Sequence, residues 1–166
     1  MTLVLKKFSR EESKDPANSG EENFLTFFLG GEEFAVNILS VQEIRSFPSN
    51  YRVSSNAEYI KGMMSLHQKI IPLFDLRIFF NIPLKEKPES DIVVIVNSKK
   101  QWVGFVVDSV LDIISVERKD IKPAPQFCKK NYCGYAFGVA SFQNRLIVLL
   151  DLYKLVSEEK IQDIIS

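Results

Sequence analysis

Residues Tyr59 to Leu76, YIKGMMSLHQKIIPLFDL, return without a gap as Tyr135 to Leu152, YAFGVASFQNRLIVLLDL. Seven of the eighteen positions are identical: Tyr59/Tyr135, Gly62/Gly138, Ser65/Ser141, Ile71/Ile147, Leu73/Leu149, Asp75/Asp151 and Leu76/Leu152. Lys69/Arg145 and Ile70/Leu146 keep their chemistry. Such a repeat means one supersecondary unit used twice. Two similar lobes packed together offer surfaces for partners more readily than they build a catalytic cleft.

Each copy predicts a hairpin, with His67-Gln68 at the first tip and Gln143-Asn144 at the second. Asp75 and Asp151 follow at the same strand-to-helix corner. Each is read as a helix N-cap, which explains the pair without an active site. The first helix covers 76–80 and stops near Pro83. The second opens at Asp151 and carries an apolar stripe of Leu152, Leu155 and Val156.

Working outward, Phe24 to Leu29 and Glu33 to Val36 flank Gly30-Gly31 and predict another hairpin. Ile38-Leu39-Ser40 makes a helical turn. Val41 to Phe47 reads as a strand with Val41, Glu43 and Arg45 on one face and Gln42 and Ile44 on the other. A short turn covers Asn56 to Tyr59. Asp91 to Val96 and Gln101 to Val107 form a hairpin across Ser98-Lys99-Lys100, and Val110 to Val116 is a strand rich in β-branched residues. Glu117 to Asn131 is the longest irregular stretch. About five short strands per lobe suit a small closed barrel. Residues 1–22 read as a disordered tail, about 23–83 as the first lobe, 84–90 as a linker, about 91–156 as the second lobe and 157–166 as the end of the C-terminal helix, with 23–158 forming one domain.

The chain has 166 residues, and 46% hydrophobic content is ample for a core. Twenty-one basic residues balance twenty-one acidic ones, which argues against a nucleic-acid binder. Cys128 and Cys133, with one histidine in the chain, are too few for a zinc site. They read as reduced thiols of a cytosolic protein, with a local disulfide as the alternative. No apolar run is long enough to span a membrane, and Met1 to Phe8 is too short and wrongly charged for a signal peptide. His67 reads as an exposed turn residue or a partner contact, not a general base. Phe127, beside Lys129 and Lys130, is either a partner anchor or locally packed.

The sequence resembles the CheW-like adaptors of bacterial chemotaxis from about Phe24 to Val156. The resemblance rests on six ordered blocks, among them Leu29-Gly30-Gly31-Glu32-Glu33-Phe34, Val41-Gln42-Glu43-Ile44-Arg45, Ile71-Pro72-Leu73-Phe74-Asp75-Leu76-Arg77 and Ile121-Lys122-Pro123-Ala124-Pro125. It implies a mostly β fold, two intertwined SH3-like five-stranded β-barrels with short helices and a C-terminal helix. It implies no enzymatic activity, metal or cofactor, and a cytoplasmic adaptor coupling the cytoplasmic tips of chemoreceptors (methyl-accepting chemotaxis proteins) to the regulatory domain of the histidine kinase CheA. The alternative is a CheW-like scaffold of an accessory, non-chemotaxis pathway. By position, Val41, Glu43 and His67 fall at the receptor contact, and Phe34, Ile38 and Phe127 at kinase contacts. One block departs: the family's Asn-Leu-Arg-Gly tip is Ser65-Leu66-His67-Gln68 here. A left-handed Gln68 costs about 1 kcal/mol, and His67 replaces an obligate cation with a pH-sensitive group.

Overall fold

The computed structural model describes residues 20–47, 60–83, 91–124 and 131–157. Ten strands form: β1 (Glu21–Leu29), β2 (Glu32–Asn37), β3 (Val41–Ser46), β4 (Ile60–Leu66), β5 (Lys69–Asp75), β6 (Ile92–Ser98), β7 (Gln101–Val107), β8 (Ser109–Glu117), β9 (Ala136–Phe142) and β10 (Arg145–Leu150). Two short helices, α1 (Leu76–Phe79) and α2 (Leu152–Val156), follow the repeated hairpins. Asp75 and Asp151 cap them, accepting from the amides of Arg77 and Lys154. Ile38–Ser40 is the expected helical turn.

The strands form two five-stranded sheets, ordered β8-β1-β2-β10-β9 and β3-β6-β7-β5-β4. Each curls into a half-barrel. The same order of parts recurs, but each sheet takes its central hairpin from the other half of the chain. Hairpin β1–β2 sits between strands of the second half, and β6–β7 between strands of the first. Parallel pairings, β2 with β10 and β5 with β7, hold the exchanged hairpins in place. The halves are therefore interlaced.

Strand alternation splits the apolar residues into three clusters. Phe24, Ala35, Ile114, Ile147 and Leu149 fill the concave side of the first sheet. Leu66, Ile71, Leu73, Val93, Ile95 and Val106 fill that of the second. The largest cluster, including Phe27, Phe34, Ile38, Phe74, Val96, Phe105 and Leu155, packs the sheets and helices together.

Four hairpin tips share one backbone solution. Gly30-Gly31, His67-Gln68, Lys99-Lys100 and Gln143-Asn144 all have positive φ at both positions, from 48° to 86°. This is the two-residue turn whose twist matches the flanking strands. Only the first tip uses glycine. Cys133 is disulfide-bonded, which corrects the expectation of a reduced thiol at that position. Cys128, the predicted turn at Asn56 to Tyr59 and the predicted tail and linker lie outside the described residues, apart from a few at their edges.

Candidate functional site

Glu43, Arg45 and His67 form one charged constellation. His67 Nε2 lies 2.8 Å from Glu43 Oε1, and Arg45 Nε donates to Glu43 Oε2 at 2.7 Å. The Glu43 side chain is 14% exposed, while those of Arg45 and His67 are 46% and 62% exposed. The His67 hydrogen bond, with help from Arg45, holds the Glu43 carboxyl below its ordinary pKa against the opposing effect of burial. The group is a hydrogen-bonded surface with one anion between two basic side chains.

Val41 does not share this face. The register of β3 on β6 slips between Val41 and Glu43: Val41 opposes Val96, and Glu43 opposes Ile95. Such a bulge places two residues opposite one and reverses the alternation beyond it. Val41 and Ile44 consequently both join the core between the sheets, and Val41 is only 8% exposed. The predicted strand is correct, and so is the shared face of Glu43 and Arg45 opposite Ile44; Val41 departs from the predicted facing. Phe34 and Ile38, expected at a kinase surface, are 0% and 1% exposed. Their side chains are core: Phe34 stands edge-on to Tyr132 at 4.9 Å between ring centroids. Phe127 lies outside the described residues.

The corresponding position in the other sheet is also polar. Asp112, on β8, receives Arg145 Nη2 at 3.4 Å and the Thr26 hydroxyl at 2.6 Å, again beside a bulge. Arg145 also lies 3.6 Å from buried Glu33. Burial raises the Glu33 pKa, and Arg145 offsets this only in part.

Arg77 is the residue that sequence reasoning missed. It is 2% exposed, yet all five guanidinium N–H donors are used: Nε and Nη2 on Asp75, Nη1 and Nη2 on Asp91, and Nη1 on Asp108, at 2.7 to 3.0 Å. Asp108 in turn accepts from the Gly30 amide at 2.7 Å. One side chain thus joins the β5–α1 corner, the start of β6, the end of β7 and the tip of β1–β2. Burial alone would lower the Arg77 pKa; the hydrogen bonds and charges of the aspartates overcome this and raise it above the ordinary arginine value. Asp75 is therefore both the expected cap and an ion-pair partner. Its repeat counterpart Asp151 only caps, because Tyr153 stands where Arg77 would be.

Among the described residues no cluster of histidine, cysteine, aspartate or glutamate could hold a metal, and no helix is long and apolar enough to cross a membrane. The CheW-like domain family matches residues 23–160. The chain belongs to that family. It is 36% identical over 139 residues to the chemotaxis protein CheW of Klebsiella aerogenes, covering 84% of each chain. The chemotaxis protein CheW of Helicobacter pylori is 25% identical over 157 residues, which is 92% of this chain and 94% of that one. The crystal structure of the scaffolding protein TtCheW from Thermoanaerobacter tengcongensis superposes with a TM-score of 0.74 at 26% identity, covering 83% of this chain and 94% of that one. The CheW-like fold accounts for the interlaced sheets, and the chain has the role of a chemotaxis adaptor.

Proposed function

We propose that this chain couples the cytoplasmic tips of chemoreceptors to the regulatory domain of CheA without catalysing a reaction. It works in the cytoplasm and is recruited to membrane-associated receptor arrays. The observation that carries this reading is that the family likeness spans residues 23–160 while a developed polar surface, Glu43-Arg45-His67, is suited to contact. Its carboxylate is already hydrogen-bonded twice, with its pKa held down. A general base needs the opposite tuning, toward neutral pH.

In this reading Glu43 and His67 meet the receptor, and Val41 supports them from the core. Phe127 is the remaining kinase-side candidate, since Phe34 and Ile38 have no exposed side chain to offer. Each contact is modest, and the assembly gains strength from many weak interfaces acting together. His67 presents a different donor geometry from the family's arginine, so the chain prefers a distinct set of receptors.

Receptor-bearing membranes test the assignment. Glu43→Lys reverses the anion between Arg45 and His67 and is expected to lower co-sedimentation about tenfold, with the fold kept at a lowered melting temperature. His67→Arg is expected to redistribute affinity among receptors. Unchanged association for both variants across several receptors would remove the receptor assignment.

A further inference from the structure

On its outer side, the β4–β5 hairpin leaves apolar surface open to solvent. Ile70 is 74% exposed and Met63 is 36% exposed. Alternation explains this: Ile71 and Leu73 point into the concave cluster, which turns Ile70 to the outer side, while Pro72 on that same side is buried. Phe74, next on that outer side, is covered by the core between the sheets. Ile70 lies beyond that cover.

Met63, Ile70, Pro72 and Trp102 line a concavity of about 610 Å³. Its other lining residues are Lys69, Lys100 and Gln101, so two cations and no carboxylate face it. Lys69 Nζ stands 4.0 Å over the Trp102 ring, which keeps a cation at the apolar floor. Large aromatic and aliphatic side chains in a concave, partly desolvated setting are where binding energy concentrates.

We propose that this concavity docks an acidic segment of a partner protein that inserts a bulky apolar side chain against Met63 and Ile70, with Trp102 at its margin. Charge decides the occupant. Lys69 and Lys100 favour carboxylates at the rim, and the chain's overall balance of charge supplies no competing field. A membrane is a poor match, because surface adsorption needs a protruding apolar face and a larger basic cluster than two lysines. None of Glu43, Arg45 and His67 lines this concavity, and its reading does not depend on the adaptor assignment.

Trp102 is the chain's single tryptophan, so its fluorescence reports on this site alone. The full chain is titrated with a synthetic peptide of alternating glutamate and leucine, with a lysine–leucine counterpart, and with phosphatidylserine vesicles. The expected result is a saturable change with the acidic peptide only. Ile70→Glu should weaken it about tenfold, and the double charge reversal Lys69→Glu with Lys100→Glu should transfer the response to the basic peptide. Circular dichroism of each variant should match the wild type, since the altered side chains sit at the surface. No response, equal responses to both peptides, a response to vesicles alone, or self-association in sedimentation that Ile70→Glu abolishes would each overturn the proposal.

Discussion

His67 Nε2 lies 2.8 Å from Glu43 Oε1, so one hydrogen bond joins the tip of the β4–β5 hairpin to β3 at the opposite edge of the same sheet. No backbone ladder links those edges among the described residues. The pair acts as a clasp across the mouth of the half-barrel, and the adaptor reading puts the receptor contact on that clasp.

The clasp has a defined pH dependence. Glu43 has a depressed pKa in the folded protein, so its contribution is complete above its ordinary value of 4.5 and is lost as the pH falls through the folded value. Glu43→Gln is expected to cost about 0.5–1 kcal/mol near neutral pH. Urea melts of both proteins should converge in acid.

Glu33 runs the other way. Its raised pKa means that ionising it in the folded state is unfavourable, so its burial penalty is absent in acid and grows as the pH rises through the folded value. One of its oxygens, Oε2, has no hydrogen-bond partner. Glu33→Gln should raise the melting temperature at neutral pH and leave it unchanged below the ordinary carboxylate range.

Arg77 is predicted to dominate stability. Removing it as Arg77→Met leaves three aspartates without their common partner, a change expected to cost about 3–5 kcal/mol. Arg77→Lys should recover little of that, because an ammonium cannot reproduce five directed donors. Chemical denaturation measures both, and near-wild-type stability of either variant would contradict the assigned role.

The left-handed tips give a graded series. Gln68 has φ of 64°, and Gln68→Gly is expected to stabilise by about 1 kcal/mol. Asn144 has the same φ, but asparagine tolerates that region better than glutamine. Asn144→Gly should therefore gain less.

The repeat, the hairpins and the caps were legible in the sequence because each rests on local chemistry: a polar tip between apolar runs, or an aspartate before a helical turn. The facing of Val41 was not, because the bulge before Glu43 breaks the alternation that places side chains on faces. Phe34 and Ile38 were placed by position in the family resemblance, which carries no information on burial; both side chains lie in the core. Arg77 was invisible because its partners Asp91 and Asp108 are 14 and 31 residues away, and an arginine in a four-residue helix reads as a solvent contact. The exchange of hairpins depends on pairings between strands far apart in the chain, for which a contiguous repeat carries no local mark.

The adaptor claim is tested most directly by sedimenting chemoreceptor-bearing membranes with CheA in the presence and absence of this chain. CheA is predicted to pellet with the membranes only when the chain is present, and to fall back toward background with Glu43→Lys. Equal recovery of CheA with and without the chain would contradict the account.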